Sequence, residues 1–525
     1  MNFLFIITDQ QRADHLSCYN DKIVLKTPNI DKIAREGITF TNFYCNNPIC
    51  MPNRSTIFTG QYPSVHGVTT NGRNLPQGTR TFVDILLESG LYHTANFGKI
   101  HLNYFGAPNK KFNNPKESQE FVFPGDYKRL SKHSPYFGLE EVKIVSGHGT
   151  LVGHPDYLDW VLKKINLDEN LQLLLRLKPE DTDRRILRKL MRFALRFEKE
   201  SSIKLQVMKH RIPEELYSTS FVKENTIDFL KKFAGGKYSK PNFFAFASFP
   251  DPHHPYSPPG KYFDMYHPED VNLPESFYDT HENTPVFMRK HYNETINTEG
   301  TTKGLFPNPK DITELDAKRV IAASYGMEKM IDDAVGEILD VLEKTGLAEN
   351  TIVIYTTDHG ELGGDHRFFF KGPFLYQALV KIPFLIKIPN KSMNVSTDSL
   401  AGSIDIPETI LQLAGFPIPE SMQGKSLVPI LDNPTAKIND EILIEMDDAG
   451  IDEKTRTLIT DEWKITVFSN NDNEGQLYNL KEDPNEMNNL WNDKKYKDIK
   501  IEFQLRLMKK SLNIIESHIN RDCQY

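Results

Sequence analysis

The chain has 525 residues, 39% hydrophobic and 26% charged; this excludes the disordered and fibrous classes and predicts one large domain plus a smaller one with an ample core. A formal net charge of -8 and a pI near 6.1 give no electrostatic reason to expect a nucleic-acid partner, because such proteins carry a basic surface. No apolar run approaches the roughly eighteen residues that crossing a bilayer requires, so no membrane partner is expected.

The elements follow in chain order. MNFLFIITDQQR is too short in its apolar run for a signal peptide and reads as a first strand over 2–8, with a cytoplasmic location expected. Cysteines stand at 18, 45, 50 and 523, too few and too scattered for a disulfide framework or a zinc site. Helical periodicity appears over 29–37, 81–90 and 322–346, the last stopped by Gly346 and followed by a strand. Further strands are expected at 242–249, 351–357 and 383–388, which gives an α/β layer fold. Between about 104 and 240 the pattern loosens into a variable insertion whose charged stretch at 181–200 reads as a solvated amphipathic helix. From about 435 four closely spaced strands (441–446, 456–461, 463–468, 475–480) predict a small antiparallel sheet, followed by a helix over 501–518. The expected division is therefore a catalytic domain over 1–434 and a small α+β subdomain over 435–525.

Chemistry gathers where strands end. Asp9 follows the first strand and Asp358 follows TIVIYTT, so both carboxylates are expected at the strand edge where open parallel sheets bind ligands. Either acid alone could be a turn or a helix cap. His359 adds an imidazole, and the mixed oxygen and nitrogen set suits Ca²⁺ or Mn²⁺ better than a structural zinc. GKIHL supplies Lys99 and His101 two residues apart, on one side of an extended segment. His253 and His254 stand in the proline-stiffened DPHHPYSPP, where an acid or base competes with an ordinary surface turn. Lys371 lies among aromatics in FFFKGPF, where a snorkelling surface lysine is the plainer reading.

Cys50-Met51-Pro52-Asn53-Arg54 matches the C-x-P-x-R signature of the type I sulfatases, and STIFTGQYPSVHG resembles the helix and turn that follow it there. The order of strand-end Asp, signature, G-K-x-H, P-H-x-P, D-H-G-E and a following lysine is similar to the sulfatase branch of the alkaline phosphatase superfamily. GKSLVPIL and QLYNLKEDPNEMNNL resemble later landmarks. The likeness spans nearly the whole chain except 104–240, and five ordered motifs are far more specific than one.

That resemblance implies an alkaline phosphatase-like fold, a large, mostly parallel sheet sandwiched by helices. It also implies that a maturation enzyme converts Cys50 to formylglycine, whose hydrate attacks a sulfate ester. One divalent cation would be held by Asp9, Asp358, His359 and the modified Cys50. Arg54 would orient the diol, His253 would protonate the leaving alcohol with Lys371 beside the ester oxygens, and Lys99 and His101 would assist sulfate release. The partners implied are a small sulfate ester and the maturation enzyme, and a homo-oligomer is allowed. Gln10 stands where many members carry a second acid, and His359 where many carry Asn; both resemble the choline sulfatase and phosphonate monoester hydrolase side. A phosphonate monoester or phosphodiester hydrolase is the alternative, and a non-catalytic anion-binding relative with unmodified Cys50 the third reading.

Overall fold

Alternation along the first strand sets the layers of the computed structural model, which describes residues 1–104, 117, 135–149, 152–194, 196–198, 202–298, 301–391, 393–470 and 473–515. In β1 (Asn2–Asp9), Phe3, Phe5 and Ile7 join one buried cluster while Leu4 and Ile6 join another on the opposite face. Period-two side chains that are apolar on both sides belong to a strand covered twice.

Further along the chain come β2 (Ile38–Phe40), β3 (Phe43–Tyr44), β4 (Tyr92–Gly98), β5 (Glu141–Ile144), β6 (Asn242–Pro252), β7 (Thr351–Thr357), β8 (Phe384–Lys387), β9 (Val395–Thr397) and β10 (Ala401–Gly402). The main sheet has the order β5-β4-β6-β1-β7-β8-β2-β9. The strands β5, β4, β6, β1 and β7 run parallel, and only β8 opposes its neighbours. Because β4, β6, β1 and β7 are parallel neighbours, their carboxyl ends lie together on one edge. This edge carries Lys99, His253, Asp9 and Asp358.

The helix Glu314–Lys344 covers one face, packing Ile331, Val335 and Ile338 into the cluster that holds Leu4 and Ile6. It begins earlier than its periodicity suggests because Thr313 and Asp316 form a capping box. The helix Ser218–Ala234 lies on the same face, with Phe221, Val222 and Phe229 buried. It falls within the stretch read as an insertion, yet it packs directly on the sheet. The charged stretch does form a helix, Asp183–Ala194, with Ile186 and Leu190 buried.

A second sheet of β11 (Ile442–Asp448), β12 (Glu453–Ile459), β13 (Trp463–Phe468) and β14 (Gly475–Asn479) is antiparallel throughout. The helix Lys497–Ile515 packs Phe503 and Leu507 against it. Residues 516–518 of the expected C-terminal helix, and Cys523, lie outside the described residues. Among the described residues, no helix is long and apolar enough to cross a membrane.

Candidate active site

Cys50 occupies the first turn of the helix Cys50–Thr59, every residue of which is buried. Its Sγ lies 2.9 Å from Lys371 Nζ, 3.1 Å from His359 Nε2 and 3.8 Å from Asp9 Oδ1. Burial and then Asp9 press the thiol upward, but Lys371, Lys99 and His359 outweigh them and leave it below its ordinary value. A helix N-terminus adds to this preference for negative charge.

One helical turn on, Arg54 organises the carboxylates. Its Nε donates to Asp358 Oδ2 at 2.7 Å and its Nη2 to Asp9 Oδ2 at 3.3 Å. Nη1 donates to the Lys99 carbonyl at 3.0 Å and to Ser248 Oγ at 2.9 Å, which ties the helix to β4 and β6. Lys99 Nζ also donates to Asp9 Oδ2. Burial raises the Asp9 carboxyl, but Lys99 and then Arg54 hold it well below the usual range. Asp9 is thus an anion at any working pH.

Imidazoles form the opposing wall. The rings of His148 and His253 stack with centroids 3.5 Å apart, and His254 stacks on His253 at 4.1 Å. His253 Nδ1 donates to the His254 carbonyl, so its Nε2 lone pair accepts from Lys371 Nζ at 3.0 Å. Burial, then His148 and Lys371, hold His253 well below the ordinary imidazole value. His101 is buried too, but its φ of +61° breaks the extended alternation that the G-K-x-H spacing suggested. Burial and then Lys99 keep it well below its ordinary value. Lys371, far from being a snorkelling surface lysine, is only 4% exposed.

The donor set fits a divalent cation. Ligand atoms of Asp9, Cys50, Asp358 and His359 lie within 4.8 Å of one another, all buried. His359 Nδ1 donates to the Gly360 carbonyl at 2.9 Å, so in the neutral ring the lone pair is on Nε2, which faces Cys50. Gln10 Nε2 is held by Glu361 Oε2 and by His254 Nδ1, whereas Oε1 is buried with no hydrogen-bond partner. A buried, orphaned amide oxygen on the residue that follows Asp9 is a group that a hard cation could complete.

Several residues escaped the sequence reading. His148 sits in a Gly-His-Gly loop that carries no motif, and its partners lie far away in the chain. Ser248 reads only as a small residue inside a strand. Glu361 accepts from Tyr256, Gln10 and the backbone of Gly363 and Phe370, so it fixes the loop leading to Lys371. D-H-G-E contained that acid, but nothing local distinguishes a bracing carboxylate from a ligand.

The family model described as Sulfatase matches residues 1–416, and another described as N-sulphoglucosamine sulphohydrolase, C-terminal, matches residues 364–513. The chain is 28% identical over 528 residues to an arylsulfatase of Clostridium perfringens, covering 97% of this chain and 94% of that protein. The solved structure of BT4656 in complex with its substrate D-glucosamine-2-N,6-O-disulfate aligns with a TM-score of 0.71 at 20% identity, covering 99% of each chain. A phosphonate monoester hydrolase of Agrobacterium radiobacter aligns with a TM-score of 0.74 at 21% identity, covering 98% of this chain and 96% of that one.

Proposed function

The chain belongs to the sulfatase family, within the alkaline phosphatase superfamily, and from this premise we propose that it hydrolyses a small sulfate ester using Cys50 matured to formylglycine. The observation that carries the reading is the convergence of Lys371 Nζ and His359 Nε2 on Cys50 Sγ, at 2.9 and 3.1 Å. The thiol stands in for the oxygen nucleophile of the hydrated aldehyde. A divalent cation, Ca²⁺ or Mn²⁺, would be held by Asp9, Asp358, His359, the modified Cys50 and the Gln10 amide oxygen, and when bound it lowers the nucleophile's pKa and neutralises charge on the transferred group.

The remaining work falls to side chains already in position. Arg54 holds Asp9 and Asp358 in register beneath the nucleophile through its hydrogen bonds to both carboxylates. Lys371 and Lys99 bring positive charge to the sulfuryl oxygens from two flanks, in a buried setting where it acts strongly. The proton for the leaving alcohol starts on the Lys371 ammonium, and His253, whose Nε2 lone pair accepts from it, carries it to the departing oxygen. His101, two residues after Lys99, accepts the proton released when sulfate departs.

Gln10 and His359 favour a second reading, a phosphonate monoester or phosphodiester hydrolase, since both resemble that side of the family. The two readings part on the second substituent. A diester brings an organic group where sulfate has only an oxygen, and on this reading Lys99, His101 and Lys371 surround that place. We expect kcat/KM for an aryl sulfate to exceed that for the matching aryl phenylphosphonate and bis-aryl phosphate on the same fully matured enzyme. The reverse order across several leaving groups would move the assignment to phosphorus esters.

A further inference from the structure

The loop after β5 places an imidazole on Lys99. His148 Nε2 lies 2.8 Å from Lys99 Nζ, and an ammonium carries only protons, so the imidazole is the acceptor. The placement is built rather than incidental. Ser146 and Gly153 exchange backbone hydrogen bonds of 2.9 and 2.8 Å at the base of the loop. Gly149 has φ +53°, and a Cβ there would come within 2.5 Å of the Pro255 carbonyl and Ser257 Oγ. Only glycine lets the loop approach the His253–Ser257 segment this closely. The approach brings the His148 ring parallel to His253, at 11°.

Asp9, His148 and His253 also offer ligand atoms within 4.8 Å of one another. A second cation does not suit them. The Lys99 ammonium already lies on both Asp9 Oδ2 and His148 Nε2, and the Lys371 ammonium lies on His253 Nε2. A metal ion would have to displace two ammonium groups.

We propose that His148 is a positioning residue for Lys99, holding its ammonium between Asp9 and the oxygens of the transferred sulfuryl group. This rests on the sulfatase reading above. Without the imidazole acceptor, Lys99 turns fully onto Asp9, and the transition state loses a directed donor. The loss falls on kcat, because the interaction strengthens as charge develops on the sulfuryl oxygens.

The test uses full-length enzyme with equal formylglycine occupancy in every variant and an aryl sulfate as substrate. His148→Ala should lower kcat by about 10- to 100-fold with little change in KM, the usual cost of removing a partner that orients a functional group. His148→Gln, whose amide oxygen can accept near the position of Nε2, should recover most of the loss. In a Lys99→Ala background, His148→Ala should cost nothing further, because both changes remove one interaction. Wild-type kcat in His148→Ala, a Gln variant as impaired as Ala, or additive losses with Lys99→Ala would each overturn the proposal while the sulfatase reading stands. Wild-type enzyme that fails to turn over any sulfate ester would overturn the sulfatase reading and this inference with it.

Discussion

At the carboxyl edge of the main sheet three buried cations, Arg54, Lys99 and Lys371, face two buried carboxylates, Asp9 and Asp358. Elsewhere, Lys464 of β13 meets Glu486 at 2.5 Å with side chains 0% and 2% exposed, a closed one-to-one pair. Both arrangements pay the desolvation of ions taken out of water. The second spends its remaining contacts on backbone: Lys464 Nζ donates to the Leu375 carbonyl and Glu486 Oε2 accepts from Gln377 N at 2.6 Å. It therefore anchors the C-terminal sheet to the segment that follows Lys371. The first set keeps an excess of positive charge, an orphaned Gln10 oxygen and lone pairs directed at one point. A balanced buried pair braces the fold, whereas an unbalanced set is arranged for a charged guest.

Neutralising a member of each set should separate the two most widely. Asp358→Asn keeps the shape but removes a ligand charge and the strongest partner of Arg54. Activity should fall by at least ~10²-fold, with bound divalent cation lost in elemental analysis. Unchanged metal content and turnover would dissolve the distinction between the sets.

Lys464→Met should do the opposite, leaving Glu486 buried without its cation. The expected cost is about 3–5 kcal/mol of stability, read by denaturant unfolding, with turnover per folded molecule close to wild type. Adding Glu486→Gln should restore most of the stability, since the amide still accepts from Gln377 N. A double variant no more stable than the single one would show that the pair contributes by charge attraction rather than by mutual neutralisation.

The carboxyl-edge site was legible because its chemistry follows strand ends and a contiguous signature, so Asp9, Cys50, Arg54 and Asp358 announce themselves locally. The strand β4 was not. Its sequence YHTANFG is polar, yet Thr94 and Asn96 are fully buried, with Thr94 Oγ1 donating to the Gly138 carbonyl at 2.6 Å. Buried polar residues, Thr94 among them with its partner in distant backbone, hide such a strand from a hydrophobicity pattern. Lys464 and Glu486 carry no local signal either, since it is the fold that brings them together. His148 was hidden for a third reason, since the meaning of a Gly-His-Gly loop depends on which lysine the topology brings beside it.

The smallest effect concerns a histidine of the signature region that only braces. His66 Nδ1 accepts from Val68 N at 3.1 Å and its Nε2 lies 3.1 Å from Thr56 Oγ1. Burial pushes it down to about 3. A folded pKa below the unfolded value means that the unfolded chain takes up the proton first. The stability held by the neutral ring is complete above about pH 6.5 and is lost as pH falls toward 3. Between pH 6 and 5 the stability advantage of wild type over His66→Gln should shrink by about 1 kcal/mol, measured by urea unfolding. An advantage independent of pH would show that the ring is protonated in place.

The central claim is that the buried, cation-rich edge exists to serve a nucleophile made from Cys50. It is tested most directly by preparing the protein with graded formylglycine occupancy, quantified on the Cys50 peptide by mass spectrometry, and measuring aryl sulfate hydrolysis on each preparation. The rate should rise in proportion to occupancy and extrapolate to zero with unmodified Cys50. Full turnover without modification, or a rate indifferent to occupancy, would contradict the account.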